Sequence, residues 1–123
     1  MKDFKKLRIW QDSFEFVYQL YLILEKFPAS ERFNLTDQLK RCSVSINSNF
    51  AEGASRNSAK DNTRFLQLAL GSAFECETQI LIASRLNFIS ELDKSKLLFE
   101  ISKIQSGIVK YMQVISVDIK DKN

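Results

Sequence analysis

Residues that interrupt regular structure are nearly absent from this chain, whose 123 residues include three Gly and one Pro. A β-sandwich or β-barrel needs turn residues every ten or so positions, and so few Gly and Pro cannot supply them. The length suits one domain, and an apolar content of 45% can form a core that needs neither disulfides nor metal. We therefore expect a single all-α domain over residues 1–123.

Apolar residues recur at three- and four-residue spacing in four segments, which predicts helices at approximately 7–26, 35–54, 59–87 and 93–117. Pro28 separates the first two helices because proline disfavours helical geometry at the preceding residue. Ser58 opens a sequence that resembles a capping box ahead of the third helix. Since the connections are short, the predicted fold is an antiparallel up-down-up-down four-helix bundle.

The first predicted helix is apolar on two opposite faces. One face has the spacing of a bundle seam and carries Leu7, Trp10, Phe14, Val17, Tyr21 and Leu24. The opposite face carries Ile9, Phe16, Leu20, Ile23 and Phe27. Packing on the seam alone would leave this second face in water, so either another segment of the chain or a partner chain must cover it. We expect a homo-oligomer with its interface on the second face.

Several kinds of catalytic site are excluded by composition. The chain has no histidine, which rules out imidazole general bases, His-dependent triads and His-ligated metals. Cys42 and Cys76 have no metal-ligand spacing and lie on apolar stripes, so we expect core packing, with a redox or disulfide role as the alternative. We expect no catalytic residue, no metal and no cofactor, and hence no enzyme.

The N-terminus is charged and has no apolar signal region, and no stretch approaches the roughly 20 apolar residues that span a bilayer. We therefore expect a cytoplasmic protein with no membrane partner. The net charge of +3 is mild and spread over the chain, which permits nucleic-acid binding without requiring it. Small basic clusters predict phosphate contacts, with little sequence preference, at Lys5, Lys6, Lys40, Arg41, Arg56, Lys60 and Arg64.

A polar stripe follows the second predicted helix and meets residues of the third. Its members recur at three- and four-residue steps and are Gln38, Arg41, Ser45, Asn49 (or its neighbour Ser48), Glu52 and Arg56, with Arg64 and Glu75 from the third helix. One interpretation is an internal network that fixes helix register, and the other is a binding site. A di-metal site is not expected because the carboxylates lack Glu-x-x-His companions.

Several short motifs resemble one protein family. They are Leu7-x-x-Trp10-Gln11, Phe27-Pro28-x-x-Glu31, Gln38-Leu39-x-Arg41, Ser45-Ile46-x-x-Asn49-x-Ala51-Glu52-Gly53, Arg64-Phe65-Leu66 and Gly71-Ser72-x-x-Glu75. Together they resemble the four-helix-bundle proteins encoded within intervening sequences of bacterial 23S ribosomal RNA genes. The resemblance covers about residues 4–88. Departures from the family pattern include Cys42 where Ala is usual, Asn47 where Pro is frequent and Phe50 where Ile is usual.

The resemblance implies an antiparallel four-helix bundle that assembles as a homopentamer. It also implies a link to the accessory protein of diversity-generating retroelements, which binds nucleic acid and a reverse transcriptase. The polar positions shared by the family fall on the stripe described above. Expected partners are therefore further copies of this chain, RNA or DNA, and a reverse transcriptase or another protein. The alternative to a nucleic-acid-binding assembly is a structural module for protein interaction.

Overall fold

The structure is a computed structural model that describes the backbone of residues 3–122 and the side chains of residues 3–116. A 3₁₀ turn at Phe4–Lys6 precedes the first helix, and another at Ala29–Glu31 follows it. The four helices are α1 (Arg8–Leu24), α2 (Leu35–Ala54), α3 (Ala59–Arg85) and α4 (Glu91–Lys122). The prediction of an all-helical chain with four helices is confirmed, and α4 extends beyond its predicted bounds at both ends.

Local sequence accounts for the limits of α3. Its N-cap is Ser58, whose hydroxyl accepts a hydrogen bond of 3.1 Å from the backbone N–H of Asp61. At the other end, Asn87 has a φ of 62°. The N–H of Phe88 donates to the carbonyl of Ala83 and that of Asn87 to Ser84, which is the Schellman pattern of a helix C-terminus. This left-handed residue redirects the chain into α4.

Each helix packs against its two neighbours around the bundle, since α1 contacts α2, α2 contacts α3, α3 contacts α4, and α4 contacts α1. Cross-helix contacts show antiparallel neighbours. Trp10 is joined to Asn47 and Tyr21 to Lys40, so α2 runs opposite to α1. In the α1–α4 seam, Lys26 forms an ion pair of 3.1 Å with Asp93 near the start of α4. The arrangement is an up-down-up-down four-helix bundle.

The core is built mainly from aliphatic side chains of all four helices. Leu20, Leu39, Ile46, Ile101 and Ile108 are fully buried. On α3 the buried face carries small residues, among them Ala69, Ala73 and Ala83, which allow neighbouring helices to approach closely. Burial of these apolar surfaces supplies the main stabilisation of the bundle.

The face of α1 expected to form a subunit interface lies instead in the core of the single chain. Its five residues are all at most 8% exposed: Ile9, Phe16, Leu20, Ile23 and Phe27. The opposite face, expected to be the bundle seam, is only partly covered: Phe14 is 56% and Tyr21 37% exposed, whereas Leu24 is 4% exposed and Trp10 packs against the core. The prediction that the first set forms a subunit interface is therefore wrong. The fold of a single chain already buries these residues, which leaves little of their surface for a second subunit to cover.

An open groove of about 670 Å³ runs along the seam between α1 and α4. Phe16, Ile23 and Leu97 form its apolar floor. Its rim is charged: Lys103 lies 3.9 Å from Asp12 of α1 and 3.3 Å from Glu100 of α4. This seam is therefore closed in part by exposed ion pairs, which contribute little stability in water.

Candidate nucleic-acid interface

Five of the seven predicted phosphate-binding residues gather at one end of the bundle, where α2 ends and α3 begins. We call this the basic end; it consists of Lys5, Lys6, Arg56, Lys60 and Arg64. The 3₁₀ turn that carries Lys5 and Lys6 contacts α2. The side-chain amide of Gln11 holds this turn on α1 by donating to the Lys5 carbonyl at 2.9 Å. Arg56 lies two residues beyond the end of α2, and Lys60 and Arg64 occupy the first turns of α3.

Two arginines of the basic end flank a single aromatic ring. The guanidinium carbon of Arg56 lies 4.6 Å from the centre of the Phe65 ring, and that of Arg64 lies 5.1 Å from it. Both distances are those of cation–π contacts. Arg56 also donates to Glu52 at 3.0 Å. Phe65 thus holds two planar guanidinium groups against one ring, and such groups suit phosphate oxygens.

The remaining cations of the basic end are not neutralised by carboxylates. Lys5, Lys6, Lys60 and Arg64 are exposed, and none of them takes part in an ion pair among the side chains of residues 3–116. An exposed cation without an acidic partner can exchange its counterion for a phosphate. The charge needed for phosphate binding is therefore available at this end.

Lys40 and Arg41 lie away from the basic end. Arg41 precedes Arg56 by fifteen positions, so along α2 the two are about 22 Å apart. The Arg41 guanidinium donates to Asp37 on its own helix at 2.9 Å. The Lys40 ammonium lies 5.0 Å from the centre of the Tyr21 ring of α1. The seven predicted residues therefore do not form one surface.

Two α2 members of the polar stripe, Gln38 and Ser45, bond to α3, and the others bond within α2 or at its end. The hydroxyls of Ser45 and Ser72 are 2.9 Å apart, and Asn49 donates to the Ser45 carbonyl at 2.8 Å. One turn farther along α3 from Glu75, the Gln79 amide donates to Gln38 at 3.3 Å. The Ser45–Ser72 and Gln38–Gln79 bonds fix the register of the two helices. In contrast, Arg41, Glu52 and Arg56 pair along their own helix or its end.

Two contributors to these interhelical bonds carry no clear signal in the sequence. Gln79 is 6% exposed and links Gln38 to the buried Cys42, whose sulfur is 3.5 Å from Gln79 Oε1. Asn47 donates to the Trp10 carbonyl at 3.1 Å and to the Ser13 hydroxyl at 2.8 Å. Polar residues are common in helices, and only the packed structure shows which of them bridge two helices.

The two cysteines are free thiols buried between α2 and α3. A hydrogen bond with the Cys42 thiol, followed in importance by burial, raises the pKa of the Cys76 thiol well above its usual range. A protonated thiol is a poor nucleophile and a poor metal ligand. Among the described residues no group of three or more Cys, Asp or Glu side chains is placed to hold a metal ion.

Comparisons with known proteins agree with this architecture. A family model described as "23S rRNA-intervening sequence protein" matches residues 5–110. A crystal structure of a protein of unknown function from the S23 ribosomal protein family of Bacteroides thetaiotaomicron VPI-5482 is similar in fold. It has a TM-score of 0.79 at 20% sequence identity, over 85% of this chain and 95% of that chain. No curated protein is significantly similar to the chain.

Within residues 3–122, no helix combines the length and the apolar character that crossing a bilayer demands. The exposed surface of the bundle is instead a mixture of charged residues and scattered apolar side chains.

Proposed function

The chain belongs to the 23S rRNA-intervening sequence protein family. From that premise we propose that the protein acts in the cytoplasm and binds the phosphate backbone of RNA or DNA. The observation that carries the proposal is the basic end, where four cations without an acidic partner share one end of the bundle with Arg56. Phosphate contacts need only Lys and Arg held along a path, so the binding has little sequence preference. No catalytic role is proposed.

Self-association is the second part of the proposal because the charge of one chain is small. At a net charge of +3, one copy offers few phosphate contacts, whereas a symmetric assembly repeats them and gains affinity through multivalency. Exposed apolar residues of α3 offer a contact surface: Leu68 is 53%, Ile82 45% and Leu86 53% exposed. The family resemblance implies five copies in a ring.

Nucleic-acid binding is tested by charge reversal at the basic end. Lys60→Glu combined with Arg64→Glu should weaken the binding of mixed-sequence RNA and DNA at low salt at least tenfold, measured by fluorescence anisotropy. Arg85→Glu combined with Lys96→Glu makes the same change of net charge away from this end and should have much less effect. An equal loss in both double variants would show that binding depends on net charge alone.

The salt dependence of wild-type binding provides an independent measure. If phosphates are the ligands, log affinity should fall linearly with log salt, with a slope of roughly 0.7–0.9 per phosphate contacted. A slope near zero would contradict phosphate binding. If no complex forms at low salt with any nucleic acid, a module for protein interaction, with a reverse transcriptase or another protein as partner, becomes the better explanation.

Self-association is tested by the mass of the particle in solution. Light scattering at micromolar concentration should give a multiple of 14.3 kDa. Ile82→Asp should reduce that mass without loss of helical circular dichroism. Leu92→Asp is the matched control, because Leu92 is 72% exposed on α4 and is not part of the proposed contact surface. A wild-type protein with the mass of one chain would contradict the assembly.

A further inference from the structure

Aromatic side chains form a continuous stripe along the outer face of α1. We define the aromatic stripe as Trp10, Phe14, Tyr18 and Tyr21, which follow one another at three- and four-residue steps. The rings of Phe14 and Trp10 are stacked, with centroids 4.8 Å apart and an interplanar angle of 24°. Phe14 and Tyr18 are each 56% exposed. Large aromatic surface is thus held in water in a fixed arrangement.

Cations lie at both ends of the aromatic stripe. At one end, the Phe4 ring contacts Trp10 edge to face at 5.4 Å, and Phe4 immediately precedes Lys5 and Lys6 of the basic end. At the other end, the Lys40 ammonium lies over Tyr21. From Trp10 to Tyr21 the helix rises about 16 Å. A strand whose bases stack on protein rings is extended beyond the roughly 3.4 Å axial rise of a stacked strand, so this length spans fewer than about five nucleotides.

We propose that the aromatic stripe is a stacking platform for the bases of a single-stranded nucleic acid whose phosphates are bound by Lys5, Lys6 and Lys40. This inference rests on the proposed function and narrows its ligand from any nucleic acid to an unpaired strand. Phe14 and Tyr18 take the bases, because they are the most exposed rings of the stripe.

The chemistry of the stripe selects the single strand over the duplex. Duplex bases have both faces covered by neighbouring base pairs, so an aromatic ring on a protein surface cannot stack on them. In an unpaired strand every base offers a free face, and stacking on protein aromatics tolerates any sequence. The lysines at the two ends complement the negative backbone of such a strand. The contact also gives a role to Lys40, which lies outside the basic end.

The sole tryptophan of the chain provides a direct readout, since Trp10 lies beneath Phe14 in the stripe. An oligothymidine of twelve nucleotides should quench the fluorescence of Trp10 when it binds wild-type protein at low salt. A mixed-sequence duplex of twelve base pairs should bind without that quenching. Binding of the single strand without any change in Trp10 emission would overturn the proposal.

Variants of the stripe separate stacking from phosphate binding. Tyr18→Ala and Phe14→Ala should each weaken oligothymidine binding roughly tenfold and leave duplex binding unchanged. Tyr18→Phe should retain full affinity because the ring is kept. Phe99→Ala, at a ring that is 68% exposed on α4, is the matched control and should have no effect. Unchanged single-strand affinity in Tyr18→Ala would overturn the proposal.

Three further outcomes are distinguishable. If Tyr18→Ala lowers the mass of the particle in light scattering, the stripe is a contact between copies of the chain, and the stacking proposal is wrong. If single strand and duplex bind equally and Lys60→Glu with Arg64→Glu abolishes both, the proposed function stands and the stripe takes no part. If the wild-type protein binds neither nucleic acid, the proposed function itself fails.

Discussion

Gly53 of α2 packs against Asn62 of α3 so closely that a Cβ atom at Gly53 would lie 2.5 Å from Asn62 Oδ1. The same atom would lie 3.1 Å from the Cβ of Phe65 and 3.3 Å from the backbone oxygen of Asn62. The side-chain oxygen of Asn62 can move aside. The Asn62 backbone oxygen and the Phe65 Cβ cannot, because they are part of the α3 backbone or bonded to it. The absence of a side chain therefore sets the spacing of α2 and α3 beside the basic end.

We expect Gly53→Ala to destabilise the bundle by about 1 kcal/mol. Overpacking costs roughly 1–3 kcal/mol, and the better helix propensity of Ala returns about 1 kcal/mol. Gly71 on α3 is the matched control, because a Cβ there meets nothing within 4 Å. Gly71→Ala should stabilise by about 0.5–1 kcal/mol. Urea unfolding of both variants tests the prediction, and stabilisation by Gly53→Ala would contradict the close approach.

Phe16 and Phe14 provide a test of which face of α1 is the core. Phe16 is 2% exposed, and Phe16→Ala should lower the free energy of unfolding by about 3–5 kcal/mol. Phe14→Ala removes the same atoms from an exposed position where the ring stacks on Trp10, and should lower it by no more than about 1.5 kcal/mol. Thermal or urea unfolding gives both values. If Phe16→Ala instead dissociates an assembly and leaves the stability of each chain unchanged, Phe16 would lie at a subunit interface and not in the core.

The sequence predicts the four helices well and the orientation of α1 poorly, for a physical reason. Periodicity identifies apolar faces, and the scarcity of Gly and Pro leaves few places for a helix to end. A helix with two apolar faces gives no local signal for which one is buried. Here Ser13 lies fully buried on the inward side, where its hydroxyl donates to the Trp10 carbonyl at 3.0 Å and accepts from Asn47 of α2 at 2.8 Å.

Asn47 should contribute measurably to the α1–α2 contact. Asn47→Ala removes hydrogen bonds to Trp10 and Ser13, and we expect it to lower the free energy of unfolding by about 1–2 kcal/mol. Ser48→Ala, at an exposed neighbour on the same helix, should change it by less than about 0.5 kcal/mol. A double-mutant cycle with Ser13→Ala isolates the shared bond. Strict additivity in that cycle would mean the Asn47–Ser13 bond contributes nothing.

The left-handed backbone at Asn87 predicts a stabilising substitution. Glycine adopts a φ near 62° without the steric cost that other residues meet there. Asn87→Gly should therefore raise the free energy of unfolding by about a few tenths of a kcal/mol. Asn87→Ala should lower the free energy of unfolding by about 1 kcal/mol, because Ala cannot occupy this conformation easily. Calorimetry on the two variants checks the order Gly, Asn, Ala.

Cys76 should make the bundle less stable in alkaline solution. Its pKa is raised in the folded protein, so above about pH 9 the unfolded chain loses a proton that the folded chain keeps. The unfolded state then binds fewer protons, and stability falls as pH rises, by about 1 kcal/mol per pH unit. Below about pH 9 the Cys76 thiol is protonated in both the folded and the unfolded chain, so it causes no loss of stability there. Urea titrations from pH 8 to 10.5 should show a shallower decline for Cys76→Ala than for the wild type.

The candidate interface was only partly predictable, because helix geometry decides which charges meet. Arg56 and Lys60 are close in sequence and share one end of the bundle. The approach of Lys5 and Lys6 to that end depends on the packing of α1 against α2, which no local pattern encodes. Lys40 resembles the other cations in the sequence, yet its position over Tyr21 belongs to a different surface.

The seam between α1 and α4 also determines how the bundle forms. Three of the four helix contacts join segments adjacent in the chain, so their loop-closure entropy is small and they can assemble rapidly. Ile9 meets Gly107 only when the two ends of the chain come together, with a Cβ at Gly107 lying 3.1 Å from the Ile9 methyl carbon. We therefore expect this seam to form last in refolding. In native-state hydrogen exchange, the backbone amides along α1 should open before those of α2 and α3.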